Sequence, residues 1–199
     1  LMVQGLVNSF GTCVMAAFAV AVKIDSFAYM PVQDFGNAFS TFVAQNFGAG
    51  QQKRIRQGIR SAIGVTTGFC LLISAIVFIF ARPLMQLFID GSEKEIISIG
   101  VEYLRVEGSF YVGIGYLFLL YRAIRMPGMS VVLTVFSLGT RVVLAYALAA
   151  IPAIGVHGIW WSIPIGWALA DAYGVWYYRR AVKRGLWDSK YDSVRSTRE

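Results

Sequence analysis

Residues 58 to 81 read GIRSAIGVTTGFCLLISAIVFIFA, and beyond Arg60 they carry no charge. A helix rising about 1.5 Å per residue needs ~20 residues to cross a hydrocarbon core of ~30 Å. This segment meets that length, and residues 13–46, 96–121, 128–151 and 156–178 are apolar on the same scale, separated by short basic or Gly/Pro-bearing connections. A backbone in lipid must satisfy its own hydrogen bonds, so each stretch is predicted helical. The fold class that follows is all-α, a polytopic membrane helix bundle with five complete transmembrane helices. Residues 1–9 are too short to span and read as the outer end of a sixth. Composition agrees: 57% of the 199 residues are hydrophobic and 15% charged, with mean hydropathy +0.60, against a charged share of about 25% in soluble domains. The chain opens on Leu1 with no basic segment and cleavage site, so it reads as a piece whose native start is missing.

The net charge of +7 is concentrated at particular helix ends. Lys53, Arg54, Arg56 and Arg60 follow the first long helix, Arg122 and Arg125 the third, and Arg179, Arg180, Lys183 and Arg184 the fifth. The intervening connections are acidic or lack Lys and Arg: residues 82–95 set Arg82 and Lys94 against Asp90, Glu93 and Glu95, and residues 152–157 carry neither cation. By the positive-inside rule the three basic ends, and with them the C-terminus, are cytoplasmic in a plasma membrane protein. Charge bordering membrane ends suits anionic lipid, so membrane lipid is the expected partner and nucleic acid is not.

Local signals set the helix limits. Residues 13–46 would measure roughly 50 Å as one helix, and Pro31 near the middle predicts a bend. Asn46, Gly48 and Gly50 predict its end. Arg82-Pro83 predicts the end of the second helix. Ser92 and Glu95 have capping-box spacing for the third. Pro127-Gly128 and Ile151 to Gly155 separate the remaining helices. Trp160 and Trp161 at one end of the last helix, and Trp176, Tyr177 and Tyr178 at the other, match interfacial aromatic belts. Residues 1–184 form the transmembrane unit, and 185–199 a polar, disordered cytoplasmic tail. Cys13 and Cys70 both lie in apolar spans and read as packing residues.

Polar groups inside the spans supply the candidate site. Ser26, Tyr29, Gln33, Asn37 and Ser40 recur at spacings of three and four, forming one stripe flanked by Lys23, Asp34 and Thr41. Ionisable groups are costly in a membrane span, so Lys23, Asp25 and Asp34 are functional candidates. The alternatives are that Lys23 and Asp25 snorkel at the outer interface and that Asp34 makes a structural hydrogen bond. On the third helix Glu102 and Arg105 have pairing distance in sequence, while Glu107 lies deeper as a cation or proton site. Ser130, Thr134, Ser137 and Arg141 share a face of the fourth helix, either lining a pathway or packing helices. Asp171 pairs with a neighbouring helix or touches substrate. His157 alone cannot make a metal site. No Ser-His-Asp order, HExxH, Walker loop or Cys/His ligand spacing occurs, so no enzyme and no metal centre are expected.

The segment from Tyr29 to Gly50, YMPVQDFGNAFSTFVAQNFGAG, with Lys53, Arg54 and Arg56 after it, resembles the eighth helix and following loop of the multidrug and toxic compound extrusion (MATE) transporters. LYRAIRMPG at 120–128 and PAIGVHGIWWSIP at 152–164 are similar to later family segments, in the right order. The resemblance implies the C-terminal lobe of a two-lobe, twelve-helix transporter. Such a protein exports small organic, often cationic, molecules in exchange for Na+ or H+ by alternating access, and the missing N-terminal lobe would be a partner. In one branch of the family a cation site joins acids of the seventh and tenth helices. The tenth-helix acid aligns with Tyr111, with Glu107 one turn away.

The coupling residues expected on this basis are Asp34 first and Glu107 second. Lys23, Tyr29, Gln33, Asn37, Ser40, Thr41, Tyr111 and Arg141 are the expected pathway lining, the Pro31 helix the moving element, and Na+ or H+ the coupling ion with no other cofactor. Two rivals stand beside this reading. A flippase for a lipid-linked sugar would need a strongly basic central cavity, and a non-transporting assembly subunit would need no polar stripe.

Overall fold

A computed structural model describes residues 2–123 and 127–183, and every regular element in them is an α-helix. In chain order these are α1 (Met2–Asn8), α2 (Thr12–Gly48), α3 (Gln52–Gln86), α4 (Lys94–Gly108), α5 (Tyr111–Ala123), α6 (Pro127–Ala149) and α7 (Val156–Lys183). The basic residue Arg125 and the tail 185–199 lie outside the described residues.

Two helices, α2 with 37 residues and α3 with 35, are each long and apolar enough to cross a membrane. Their apolar side chains do not all turn inward: Val65, Leu71, Leu72, Phe78, Ile79 and Phe80 of α3 are exposed, Ile79 at 68%. A continuous exposed apolar band of this kind is a surface for lipid, since water would penalise it. At 23 and 28 residues, α6 and α7 reach spanning length, whereas α4 and α5 singly do not.

Several boundaries correct the sequence expectation. The stretch 96–121 is not one helix but α4 and α5, interrupted at Ser109-Phe110. Ser109 Oγ donates to the Arg105 carbonyl (2.6 Å), and Phe110 N–H bonds to the Glu107 carbonyl three residues back. Ser109 N–H keeps its ladder bond to the Arg105 carbonyl at 3.3 Å, and it is the tightened turn at Phe110 that takes an acceptor a continuing α-helix would have used. Pro83 does not end α3, which runs on to Gln86. A proline in the last turn removes one backbone bond only, and its own carbonyl still accepts from Leu87 N–H. No capping box forms before α4: Ser92 N–H bonds to Asp90 Oδ1 at 2.9 Å instead, a local turn that competes with the cap. That donor holds the exposed Asp90 carboxyl below its ordinary pKa. Nor do Glu102 and Arg105 pair. Glu102 Oε1 meets His157 Nδ1 at 2.7 Å, and the Arg105 guanidinium lies over the Phe78 ring, 5.4 Å from its centre.

Packing builds one main core. α4 lies against α2 and α3, α5 lies among α2, α3 and α7, and α6 pairs chiefly with α7. Gly11, at φ 109°, allows the sharp join between α1 and α2 that a side chain would strain. Phe18 of α2, Tyr103 of α4 and Trp160 of α7 interlock: Phe18 stacks on Trp160 at 5.6 Å, and Tyr103 meets both edge-on at 5.5 and 4.9 Å. All three are buried, and they fix the three helices around the space immediately beneath. A second, smaller cluster of Phe39, Val43, Ile55, Ala62 and Leu119 closes the opposite end of α2 against α3 and α5.

Candidate functional site

The buried face of α2 follows a three-and-four spacing through Phe18, Ala21, Asp25, Val32, Gly36, Phe39 and Val43. One member of this otherwise apolar seam is a carboxylate. On α4 the buried residues Ile97, Gly100, Leu104 and Glu107 likewise bring one carboxylate to the inner face at helical spacing. Asp25 and Glu107 are 4% and 2% exposed, and Tyr111, the first residue of α5, is 1% exposed.

Asp25 and Glu107 open on one cavity of about 490 Å³, whose polar lining also includes Tyr29, Tyr103 and Arg141, with Trp167 of α7 among its apolar walls. The Tyr111 hydroxyl donates to Asp25 Oδ1. Ser26 Oγ donates to the Val22 carbonyl at 2.8 Å and lies 3.5 Å from the Tyr29 hydroxyl. Glu107 Oε1 and Arg141 Nε are buried and have no hydrogen-bond partner among the described residues. The helix interruption sits within the site: Glu107 lies in the last turn of α4 and Tyr111 in the first of α5. Arg141 reaches the cavity because residue 166 of α7 is glycine. A Cβ there would stand 2.3 Å from Arg141 Cγ.

The arrangement is a chamber in a low-dielectric bundle, lined by two acids, one fixed cation and two phenols. Such a set can bind a proton or a small cation on its carboxylates and orient a polar ligand group against Arg141. No group of three or more His, Cys, Asp or Glu with metal-ligand placement occurs among the described residues.

Of the residues singled out from the sequence, Glu107, Tyr29 and Arg141 line this chamber, and Tyr111 stands behind its wall, bonded to Asp25. Asp34, Lys23, Gln33, Asn37 and Thr41 are exposed on α2, and Ser40 is half-buried there. The structure therefore does not bring Asp34 and Glu107 together. Asp25 occupies the place beside Tyr111 that the snorkelling alternative denied it. Of the polar stripe Ser26, Tyr29, Gln33, Asn37 and Ser40, only Tyr29 lines the chamber; Gln33, Asn37 and Ser40 run one residue ahead of the buried seam, a rotation of about 100°, and turn away from it. Reading the periodicity of the apolar residues, with Asp25 as the exception among them, would have found the acid. Tyr103 and Trp167 carried no such signal, since aromatics at helical spacing are ordinary core.

Comparison with known proteins supplies the relationship. The MatE family profile matches residues 1–151. The chain is 28% identical over 179 residues to the "Probable multidrug resistance protein YpnP" of Bacillus subtilis, covering 89% of this chain and 40% of that protein. A mutant of the Vibrio cholerae MATE transporter VcmN superposes with a TM-score of 0.81 at 25% identity, over 92% of this chain and 42% of that one. A MOP superfamily transporter from Pyrococcus furiosus shares the fold at a TM-score of 0.84 and 21% identity, again over 92% and 42%. The chain thus spans about 40% of the length of the curated relatives it matches. With the profile covering most of its residues, this all-helical chain belongs to the MatE family.

Proposed function

We propose that the chain is one lobe of a two-lobe secondary antiporter that exports small organic, often cationic, molecules in exchange for Na+ or H+. In this reading α4 and α5 together make one crossing, and with α2, α3, α6 and α7 give five complete spans in the plasma membrane. α1 is the end of a sixth, and the basic ends and C-terminus face the cytoplasm. A second lobe supplies the other wall of the pathway.

The observation that carries the proposal is the chamber at the α4–α5 interruption, with Asp25 bonded to Tyr111 and Glu107 left with an unpartnered buried oxygen. An uncompensated charge there is expensive, and a proton or Na+ on the carboxylate cancels it. Occupancy then favours whichever conformation encloses the site, and a ligand can shift an equilibrium only by such differential affinity. Interrupted helices at mid-span recur where transporters bind ions, because the freed backbone must line a cavity to be tolerated. Glu107 is the proposed coupling acid, Asp25 its neighbour held by Tyr111, and Arg141 the fixed counter-charge. Asp34, exposed on α2, is proposed to face the pathway between lobes. Two carboxylates against one arginine suit a cation better than the phosphates of a lipid-linked sugar, which speaks against the flippase reading.

The test uses the complete transporter in proteoliposomes, with efflux of a fluorescent organic cation followed under an imposed Na+ or pH gradient. Glu107→Gln should abolish gradient-driven efflux while folded yield is kept, and Asp34→Asn should weaken it less. Full coupling in both variants, and in Asp25→Asn, would remove the chamber from the mechanism.

A further inference from the structure

We propose that a groove between α3, α4 and the start of α7, separate from the chamber, holds the headgroup of an anionic phospholipid. The inference rests on α3 crossing the membrane and not on transport. Uncharged residues run from Ser61 to Ala81 on this helix. At about 1.5 Å per residue they match a ~30 Å hydrocarbon layer. Arg82 is the first charge beyond them, so it stands at headgroup level on the side opposite Lys53, Arg54, Arg56 and Arg60.

The groove encloses about 640 Å³ and is lined by Arg82, Arg105, Ser109, Phe78, Phe110 and Trp161, with Glu102 on its wall. Its charge balance is cationic. Neither arginine is in an ion pair among the described residues, while the one acid, Glu102, is engaged by His157. Arg105 is held with its guanidinium over Phe78. Stacking uses the face of the guanidinium and leaves its in-plane N–H groups free for a bidentate phosphate contact.

The apolar half of the groove selects a lipid over a free anion. Phe78, Phe110 and Trp161 are 46%, 41% and 46% exposed, and Phe110 meets Trp161 edge-on at 5.7 Å. On α3 the face of Phe78 continues two turns deeper to Leu71, which is exposed, and acyl chains would run there. Arginines above and aromatic rings below match the headgroup-to-chain order of a phospholipid at the interface.

The experiment takes the purified protein in neutral detergent and adds dioleoyl phosphatidylglycerol, dioleoyl phosphatidylcholine or inorganic phosphate. Retained lipid is read by native mass spectrometry and stability by the melting temperature. Phosphatidylglycerol should be retained and raise the melting temperature, and the other two should not. Arg82→Gln with Arg105→Gln should weaken its retention on the order of tenfold or more, as loss of charge-assisted contacts implies. Arg54→Gln with Arg56→Gln, at the opposite membrane end, should lower retention less than this pair does, because that basic end attracts anionic lipid diffusely and not in a groove. Should the first double variant fold poorly, Arg82→Gln alone, at an exposed position, should still weaken retention by a measurable fraction. Unchanged retention in the arginine variants overturns the site, as does equal stabilisation by inorganic phosphate or equal retention of phosphatidylcholine.

Discussion

Tyr111→Phe removes one hydroxyl from the chamber and almost nothing else. The ring stays where the main core packs around it, and what is lost is the donor to Asp25 Oδ1. Asp25 is 4% exposed, so water cannot easily replace that donor. An unsatisfied buried group costs about 1–3 kcal/mol, more when charged. Interhelical hydrogen bonds measured in membranes couple by only about 0.6 kcal/mol on average and up to about 1.7 kcal/mol, because the unfolded state in a bilayer also finds partners.

The upper end applies here. The acceptor is a carboxylate, and the bond joins α2 to α5 across the core, not within one helix. A coupling of about 1.5 kcal/mol is therefore expected. It is read from a double-mutant cycle of Tyr111→Phe and Asp25→Leu, using unfolding by SDS in mixed micelles. Each single change strands one partner, and the double change strands neither, so it should cost less than the sum. Additivity within about 0.5 kcal/mol would mean that the two groups do not interact, and the chamber would lose its central bond.

Gly166→Val should displace Arg141, since the added Cβ meets Arg141 Cγ at 2.3 Å. Efflux should fall well below that of Gly139→Val, where nothing lies within 4 Å, and equal activities would show that the position of Arg141 is immaterial. Trp160→Ala should destabilise by about 3–5 kcal/mol in a denaturation titration, because Trp160 is 1% exposed and packs on both Phe18 and Tyr103. A cysteine placed at Gln52 or Ser189 should label only from the cytoplasmic side and one at Ser92 only from outside; the reverse pattern would invert the topology. The depressed pKa of Asp90 means that its bond to Ser92 contributes at neutral pH and is lost as pH falls through the folded-state value, below the ordinary ~3.9. Ser92 amide exchange, corrected for intrinsic rate, should therefore accelerate on acidification in the native protein and be fast at neutral pH in Asp90→Ala.

The helices were legible because bilayer thickness imposes a length and lipid imposes apolarity, and both are written plainly in residues 58–81. Ends were less legible because proline and serine act through geometry that depends on position. Pro83 falls in a last turn that tolerates it, and Ser92 spends its N–H on Asp90. For the site, Glu107, Tyr111 and Arg141 were named from charge, depth and resemblance. Asp25 stood as a functional candidate with an interfacial position as the alternative, because sequence gives distance along the chain, whereas burial is set by which side of α2 faces α4 and α5. The Arg105 side chain shows the same limit: sequence spacing offered it Glu102, but its guanidinium lies over the ring of Phe78 on another helix.

The interruption after Glu107 was invisible for a physical reason. Gly108, Ser109 and Phe110 are all compatible with a membrane helix, and the ladder departs from it where Phe110 N–H turns to the Glu107 carbonyl three residues back. Its consequence is that Glu107 and Tyr111, four residues apart in sequence, belong to different helix ends, Glu107 to α4 and Tyr111 to α5. A continuous helix would lock their spacing at one turn. Two helix ends joined by a short link can change that spacing without breaking either ladder, since only the turn from Glu107 to Phe110 need adjust. On the proposed mechanism a cation or proton bound at Glu107 would bias α4 against α5, with the Tyr111–Asp25 bond relaying the change to α2. Coupling therefore requires the interruption as well as the acids. Replacing Ser109 with Ala, a stronger helix former that favours a continuous helix, should weaken gradient-driven efflux while leaving Asp25, Glu107, Tyr111 and Arg141 intact, and undiminished efflux in that variant would refute the requirement.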